Sequence, residues 1–90
     1  MPVQTAPAHG PADALFQIYL AEDEAPAGLL HELQVRRPGT GSFATVASIP
    51  DPVFAFTPDA GPGTYIFRAR VTEPGVGATG WSPQGSITVP

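Results

Sequence analysis

Prolines and glycines divide this chain into short segments, and they constrain its fold more than any other feature of the sequence. There are 12 prolines and 10 glycines among 90 residues. Proline removes a backbone donor and interrupts helices, and glycine destabilises a helix interior. In addition, no stretch of ten residues keeps a helical period of apolar side chains. The sequence therefore predicts almost no helix, with at most a single turn within residues 22–30.

Between the Gly and Pro clusters, apolar residues alternate with polar ones, which is typical of half-buried strands. Six such runs occur, at residues 14–20, 31–37, 43–49, 53–57, 64–72 and 86–89. Short strands joined by tight turns favour an all-β fold, an antiparallel β-sandwich, with a small barrel as the competing geometry. The faces that alternate in these runs predict a core of Phe16, Ile18, Leu33, Val35, Phe67, Val71 and Ile87.

The length, charge and composition of the chain argue against several classes of function. Ninety residues are enough for one small domain. Eight carboxylates against four arginines, with no lysine, disfavour a phosphate-binding surface, so we expect no nucleic-acid partner. The absence of cysteine excludes disulfides and thiolate zinc ligands. The longest apolar stretch, residues 14–21, is too short to span a bilayer, and residues 1–10 do not read as a secretory signal. We therefore expect no membrane association and synthesis in the cytoplasm.

Three segments in the second half of the chain carry a family resemblance. Residues 62–71 read PGTYIFRARV, residues 80–83 read GWSP and residues 86–89 read SITV. In this order and spacing they resemble the fibronectin type III family, and the resemblance covers roughly residues 14–90. It implies two packed sheets, three strands against four.

The resemblance also implies roles for two aromatic residues. Tyr65 would pack in the core with its hydroxyl bonded back to the turn at residues 59–62. Trp81 would pack over arginines on the outer face as a cation–π contact, whereas an exposed Trp beside prolines would instead stack on a sugar or a partner. The chain departs from the family at two places, with Tyr19 or Leu20 where a Trp is usual and His31 where a Tyr is common.

The first 13 residues differ from the rest in composition, being rich in proline and poor in large apolar side chains. We interpret residues 1–13 as an extended arm and residues 14–90 as the sandwich domain. Because the arm has little apolar surface to bury, we expect Pro2, Val3 and Gln4 to lie against a neighbouring subunit through backbone hydrogen bonds. The family's first strand is then either supplied poorly by the arm or lacking, and a lacking strand would leave an open sheet edge.

No group of residues forms a recognisable catalytic or metal motif. His9, Asp13, His31 and the run from Glu22 to Glu24 lack the short ligand pair of a metal site, and a solvated acidic loop is the simpler interpretation of that run. Nucleophile motifs and phosphate-binding loops are also missing from the sequence. We therefore expect no catalytic residues, no metal, no cofactor and no enzymatic activity.

Three arginines predict a charged outer face. Arg36, Arg68 and Arg70 project from the same side as Glu32 and Gln34 if the strands at 31–37 and 64–72 are neighbours. They are either a contact patch for an acidic partner or members of cross-strand ion pairs that keep the face soluble.

These observations lead to an expectation of a structural or assembly subunit. Fibronectin-like modules are common in tailed phages and related particles, so the resemblance implies a head-decoration, tail or baseplate component located in the virion. Its partners would be the other protein subunits of that assembly. The alternative is a carbohydrate-associated or adhesion module of a secreted multidomain protein, which would be extracellular and would have surface carbohydrate as a partner.

Overall fold

The computed structural model describes residues 3–6 and 8–90, and these form eight β-strands. The strands are β1 (Gln4–Ala6), β2 (Phe16–Tyr19), β3 (Leu30–Arg36), β4 (Ala44–Ile49), β5 (Val53–Phe56), β6 (Gly63–Glu73), β7 (Gly77–Ala78) and β8 (Gly85–Val89). Helices are absent from the described residues. Consequently, no described segment is a long apolar helix that could cross a membrane.

The strands form two antiparallel sheets. The first sheet has the order β1-β2-β5, and the second has the order β4-β3-β6. On the far side of β6, β8 pairs with residues 63–67 and β7 pairs with residues 72–73, so that β7 and β8 occupy one strand position. The result is three strands against four, and the predicted antiparallel β-sandwich is confirmed.

The six predicted strands correspond to β2, β3, β4, β5, β6 and β8, with ends that differ by no more than two residues. β1 and β7 are not among the predicted strands. Both are very short, with three and two residues, and neither contains an alternating apolar pattern.

The core lies between the two sheets. Phe56 of β5 meets the rings of Tyr65 and Phe67 of β6 edge-on, with centroids 5.8 and 5.2 Å apart. Six of the seven predicted core residues are buried. The exception is Val71, which is half-buried because it lies near the end of β6 beside an open cleft. The core also contains Val3, Leu20, Ala47, Phe56, Ala69 and Val89, which the predicted core did not include.

Residues 3–6 and 8–10, which we call the N-terminal segment, are part of the sandwich, and this contradicts the division into an arm at 1–13 and a domain at 14–90. β1 pairs with β2 over three residues. The chain then crosses to the second sheet, where the Thr88 amide donates to Ala8 O and the Gly10 amide donates to Thr88 O, at 3.0 and 3.2 Å. The segment is therefore held by backbone hydrogen bonds to both sheets, which compensate for its small apolar area.

Of the residues predicted to lie against a neighbouring subunit, Val3 and the backbone of Gln4 belong to the fold of their own chain. Val3 is 3% exposed within the core of its own chain, and its amide donates to Pro83 O at 3.2 Å. Gln4 has an exposed side chain, but its backbone belongs to β1 and pairs opposite Tyr19. Pro2 lies outside the described residues. The backbone of Val3 lies so close to β8 that a Cβ atom at Gly85 would overlap the carbonyl oxygen of Val3.

Candidate interaction surface

The outer face of the second sheet brings the three predicted arginines together with their polar neighbours. β3 and β6 are adjacent, and their register places Glu32 opposite Arg70 and Gln34 opposite Arg68. Arg70 Nε donates to Glu32 Oε1 at 2.6 Å. Arg68 donates to Gln34 Oε1 through Nε and Nη2, at 3.0 and 2.8 Å. Of the two alternatives considered for this face, the cross-strand ion pair is present for Arg70.

Aromatic rings lie against these guanidinium groups. Arg68 lies 4.1 Å from the centroid of the Phe43 ring and 4.0 Å from that of Trp81. Arg70 lies 4.2 Å from the Trp81 centroid, and Arg36 lies 5.8 Å from the Phe43 centroid. We call this surface the arginine–aromatic face; its residues are Arg36, Phe43, Arg68, Arg70 and Trp81. Phe43 was not singled out in the sequence, and its position one residue before β4 was the available signal.

Trp81 reaches the arginines because residues 79–82 run alongside β6 between β7 and β8. The amides of Thr79 and Ser82 donate to Val71 O and Ala69 O, at 2.9 and 2.8 Å. In return, the hydroxyls of the same two residues accept from the amides of Val71 and Ala69. These side chains hold the segment against β6 where the regular strand ladder is interrupted, and they place the intervening Trp81 over the outer face.

The arginine–aromatic face carries more positive than negative charge. Burial raises the pKa of Glu32, but hydrogen bonds from Arg70 and Thr45 outweigh burial and leave this pKa below its ordinary value. The Arg68 guanidinium bonds to a neutral amide, and Arg36 forms no ion pair with any described residue. Three of the four arginines thus share a face with a single carboxylate, whereas the other seven carboxylates belong to the rest of the chain.

Tyr65 and Arg37 fix the turn that leads into β6. Tyr65 is fully buried, and its hydroxyl donates to Gly61 O and accepts from the Ala60 amide, both at 2.8 Å. Both partners lie within the stretch predicted from the resemblance. Beside them, Arg37 binds Asp59 through two hydrogen bonds of 2.6 and 2.9 Å, a contact that the sequence did not indicate. These bonds hold the pKa of Asp59 below its ordinary value, although burial opposes them.

The residues weighed as metal ligands do not come together. His31 is buried, and its Nε2 donates to the carbonyl oxygen of Asp23 at 3.1 Å. His9 is exposed and forms a bridge with Thr88, which pairs with Thr64 near the start of β6, whereas His31 pairs with Val71 near its end. Within residues 3–6 and 8–90 there is no group of three or more His, Asp or Glu side chains suited to a metal ion. A cleft of about 210 Å³ opens beside His31 and Arg70.

Comparison with known proteins identifies the fold. No family model matches the chain, and no curated protein matches it in sequence. Among solved structures, the chain is similar to the solution structure of the fibronectin type III domain of human fibronectin type III domain containing protein 3. The match has a TM-score of 0.63 at 12% identity and covers 89% of this chain and 76% of that one. The chain therefore has a fibronectin type III fold.

Proposed function

We propose that this protein is a non-enzymatic structural subunit that binds other proteins. In its finer form, the proposal is that the protein is a head-decoration, tail or baseplate component of a tailed phage or phage-like particle, located in the assembled particle. The fibronectin type III fold is compatible with both statements. The finer statement rests on the frequency of this fold in such particles.

The observation that carries the proposal is the concentration of positive charge on the arginine–aromatic face of a chain whose net charge is −4. The guanidinium of Arg68 is held between its Gln34 hydrogen bonds and two rings, so little side-chain entropy remains to be lost on binding. Arg and Trp are enriched among the residues that dominate protein interfaces. The face therefore suits an acidic protein surface, and Arg36 is the arginine with the fewest contacts of its own.

The carbohydrate-associated alternative is less favoured by the position of Trp81. A sugar binds a tryptophan by stacking on its ring, and here two guanidinium groups lie within 4.2 Å of the ring centroid. A sugar would have to compete with these contacts. We therefore place the protein-binding function first.

The proposal is tested by purifying particles from the source on a density gradient and measuring this chain in them by mass spectrometry. Incorporation of Arg36→Gln is expected to fall by about tenfold, the effect of losing roughly 1.4 kcal/mol of binding. The matched control is Gln17→Glu, which changes the charge by the same amount on the exposed face of the first sheet. Absence of the chain from particles would overturn the finer proposal. Equal incorporation of both variants would show that this face is not the binding surface.

A further inference from the structure

The edges of the two sheets are protected unequally. On one side of the sandwich, the N-terminal segment (residues 3–6 and 8–10) crosses from β2 to β8 and bonds to both sheets. On the other side lie β4 and β5. β5 has four residues between Pro52 and Pro58, whereas β4 has six residues and pairs, within the described chain, with β3 alone. β4 is thus the longest edge strand left without a covering segment in the described part of the chain.

The sequence of this edge lacks the charges and prolines that block many edge strands, and β4 has a bulge at Val46. Natural proteins block edge strands with charged side chains or prolines, because unpaired backbone groups recruit other strands. From residue 39 to residue 49 there is no charged residue and no proline. On either side of the bulge at Val46, alternate amide and carbonyl groups of β4 point away from β3, as in other antiparallel edge strands. The edge can therefore accept another strand without burying a charge.

β4 is complementary to itself in the antiparallel orientation. Its pairing with β3 puts Ala44, Ala47 and Ile49 on the core side, opposite buried residues of β3, and puts Thr45 and Ser48 on the outer side. Val46 lies at the register shift and packs against the core. With a twofold axis between Val46 and Ala47, Ala44 faces Ile49 and Thr45 faces Ser48 of the second copy. Apolar residues then meet apolar residues, and hydroxyls meet hydroxyls.

We propose that two copies of this chain pair through β4 to form a symmetric dimer with one continuous sheet. The register is specified, because a shift by one residue would place Ala44 opposite Ser48 and so join the core side to the outer side. A twofold axis makes the same edge serve both copies, as closed dimers require. The inference goes beyond the proposed function and does not depend on any particle.

Sedimentation of the full chain over a range of concentrations tests the dimer. At about 0.5 M salt, which screens the repulsion between two copies, we expect a dissociation constant of about 10 to 500 µM for so small an interface. Ala44→Glu is expected to weaken association at least tenfold, since it places a carboxylate against Ile49 of the second copy. Ala55→Glu, on the exposed face of β5, changes the charge equally and is expected to leave association unchanged.

Ala44 is exposed, so Ala44→Glu should keep the melting temperature of the monomer, which is measured in parallel. A chain that stays monomeric to about 1 mM would overturn the proposal, as would an equal response to the two variants. Loss of incorporation into particles with the dimer intact would bear on the proposed function alone.

Disulfide trapping tests the register, and the chain has no cysteine to interfere. Thr45→Cys and Ser48→Cys proteins are mixed in equal amounts and oxidised. In the proposed register, residue 45 of one copy lies directly opposite residue 48 of the other, about 5 Å away between Cα atoms, and like positions are about 10 Å apart. Mass spectrometry should therefore find mainly the mixed dimer. A statistical mixture, with half of the disulfides between like variants, would overturn the register.

Discussion

Single residues connect the outer parts of the molecule to its core, and Tyr65 is the clearest example. Its ring packs against Phe56 of the opposite sheet, and its hydroxyl bonds to both Ala60 and Gly61 in the turn before β6. The neighbouring Arg37 and Asp59 pair ties the end of β3 to the same turn. The conformation of this turn is therefore set by the side chains of Tyr65 and Arg37, in addition to its own glycines and prolines.

Tyr65→Phe should lower the free energy of unfolding by about 1 kcal/mol, because it removes the hydroxyl and leaves a partly buried amide and carbonyl without that partner. The measurement is the urea midpoint. Tyr19→Phe is the matched control, since Tyr19 is 37% exposed on the outer side of β2, and it should have little effect. An unchanged midpoint for Tyr65→Phe would contradict the assigned hydrogen bonds.

The lowered pKa values of two carboxylates predict that the protein loses stability in acid. The pKa values of Glu32 and Asp59 are lowered in the folded state from ordinary values of 4.5 and 3.8. A lowered pKa adds stability that is fully present above the ordinary value and is lost as the pH falls through the folded value. The urea midpoint should therefore fall as the pH is reduced from about 5 to about 2.

Glu32→Gln and Asp59→Asn should each reduce the slope of this acid loss, because each removes one titrating group. Both variants should also be less stable than the natural chain at pH 7, since Arg70 or Arg37 then lacks its carboxylate partner. The measurement is the urea midpoint at a series of pH values. Curves parallel to that of the natural chain would show that these carboxylates do not contribute.

At the level of the strands, the sequence locates those whose own residues alternate between apolar and polar. It does not locate a strand whose position is set by contacts with distant parts of the chain. β2 to β6 and β8 carry their own alternating pattern, which is enough to locate them. β1 reads Gln-Thr-Ala and has no apolar face, so its place is set by backbone bonds to β2 and by the burial of Val3 under β8. The alternating pattern of β6 places Arg68 and Arg70 on the outer face, and the family resemblance places Trp81 over them. Phe43 reaches the same arginines only through folding.

Gly85 tests how the N-terminal segment is held. Gly85→Ala places a Cβ atom on the carbonyl oxygen of Val3 and should displace that segment, at a cost of about 1 to 3 kcal/mol. Hydrogen exchange should become faster at the amides of Gly10 and Thr88, which bond to or from residues 8–10. Gly80→Ala is the matched control, because a Cβ atom there has no neighbour within 4 Å. Equal exchange in the two variants would contradict the docking of the segment.

At the scale of the whole molecule, the sandwich is closed along one side and open along the other. The N-terminal segment bonds to both sheets beside β2 and β8. The connection from β4 to β5 joins the sheets at the other side, where no segment of residues 3–6 and 8–90 covers the backbone edge of β4. Residues 3–6 and 8–10 thus protect one side, and in the proposed dimer this asymmetry directs association to the other.

The core between the two sheets sets the stability of the whole fold, since the chain has no disulfide. Phe67 is fully buried in the second sheet and contacts Phe56 of the first. Phe67→Ala should cost about 3 to 5 kcal/mol, a large part of the 5 to 15 kcal/mol typical of a domain, and should lower the melting temperature by more than about 12 °C. Phe43→Ala removes a ring of the same kind from the outer face, where Arg36 and Arg68 lie over it. This change should cost only about 1 kcal/mol, the size of a cation–π contact. Circular dichroism melting curves compare the two, and similar losses would mean that the sandwich does not depend on the inner face of β6.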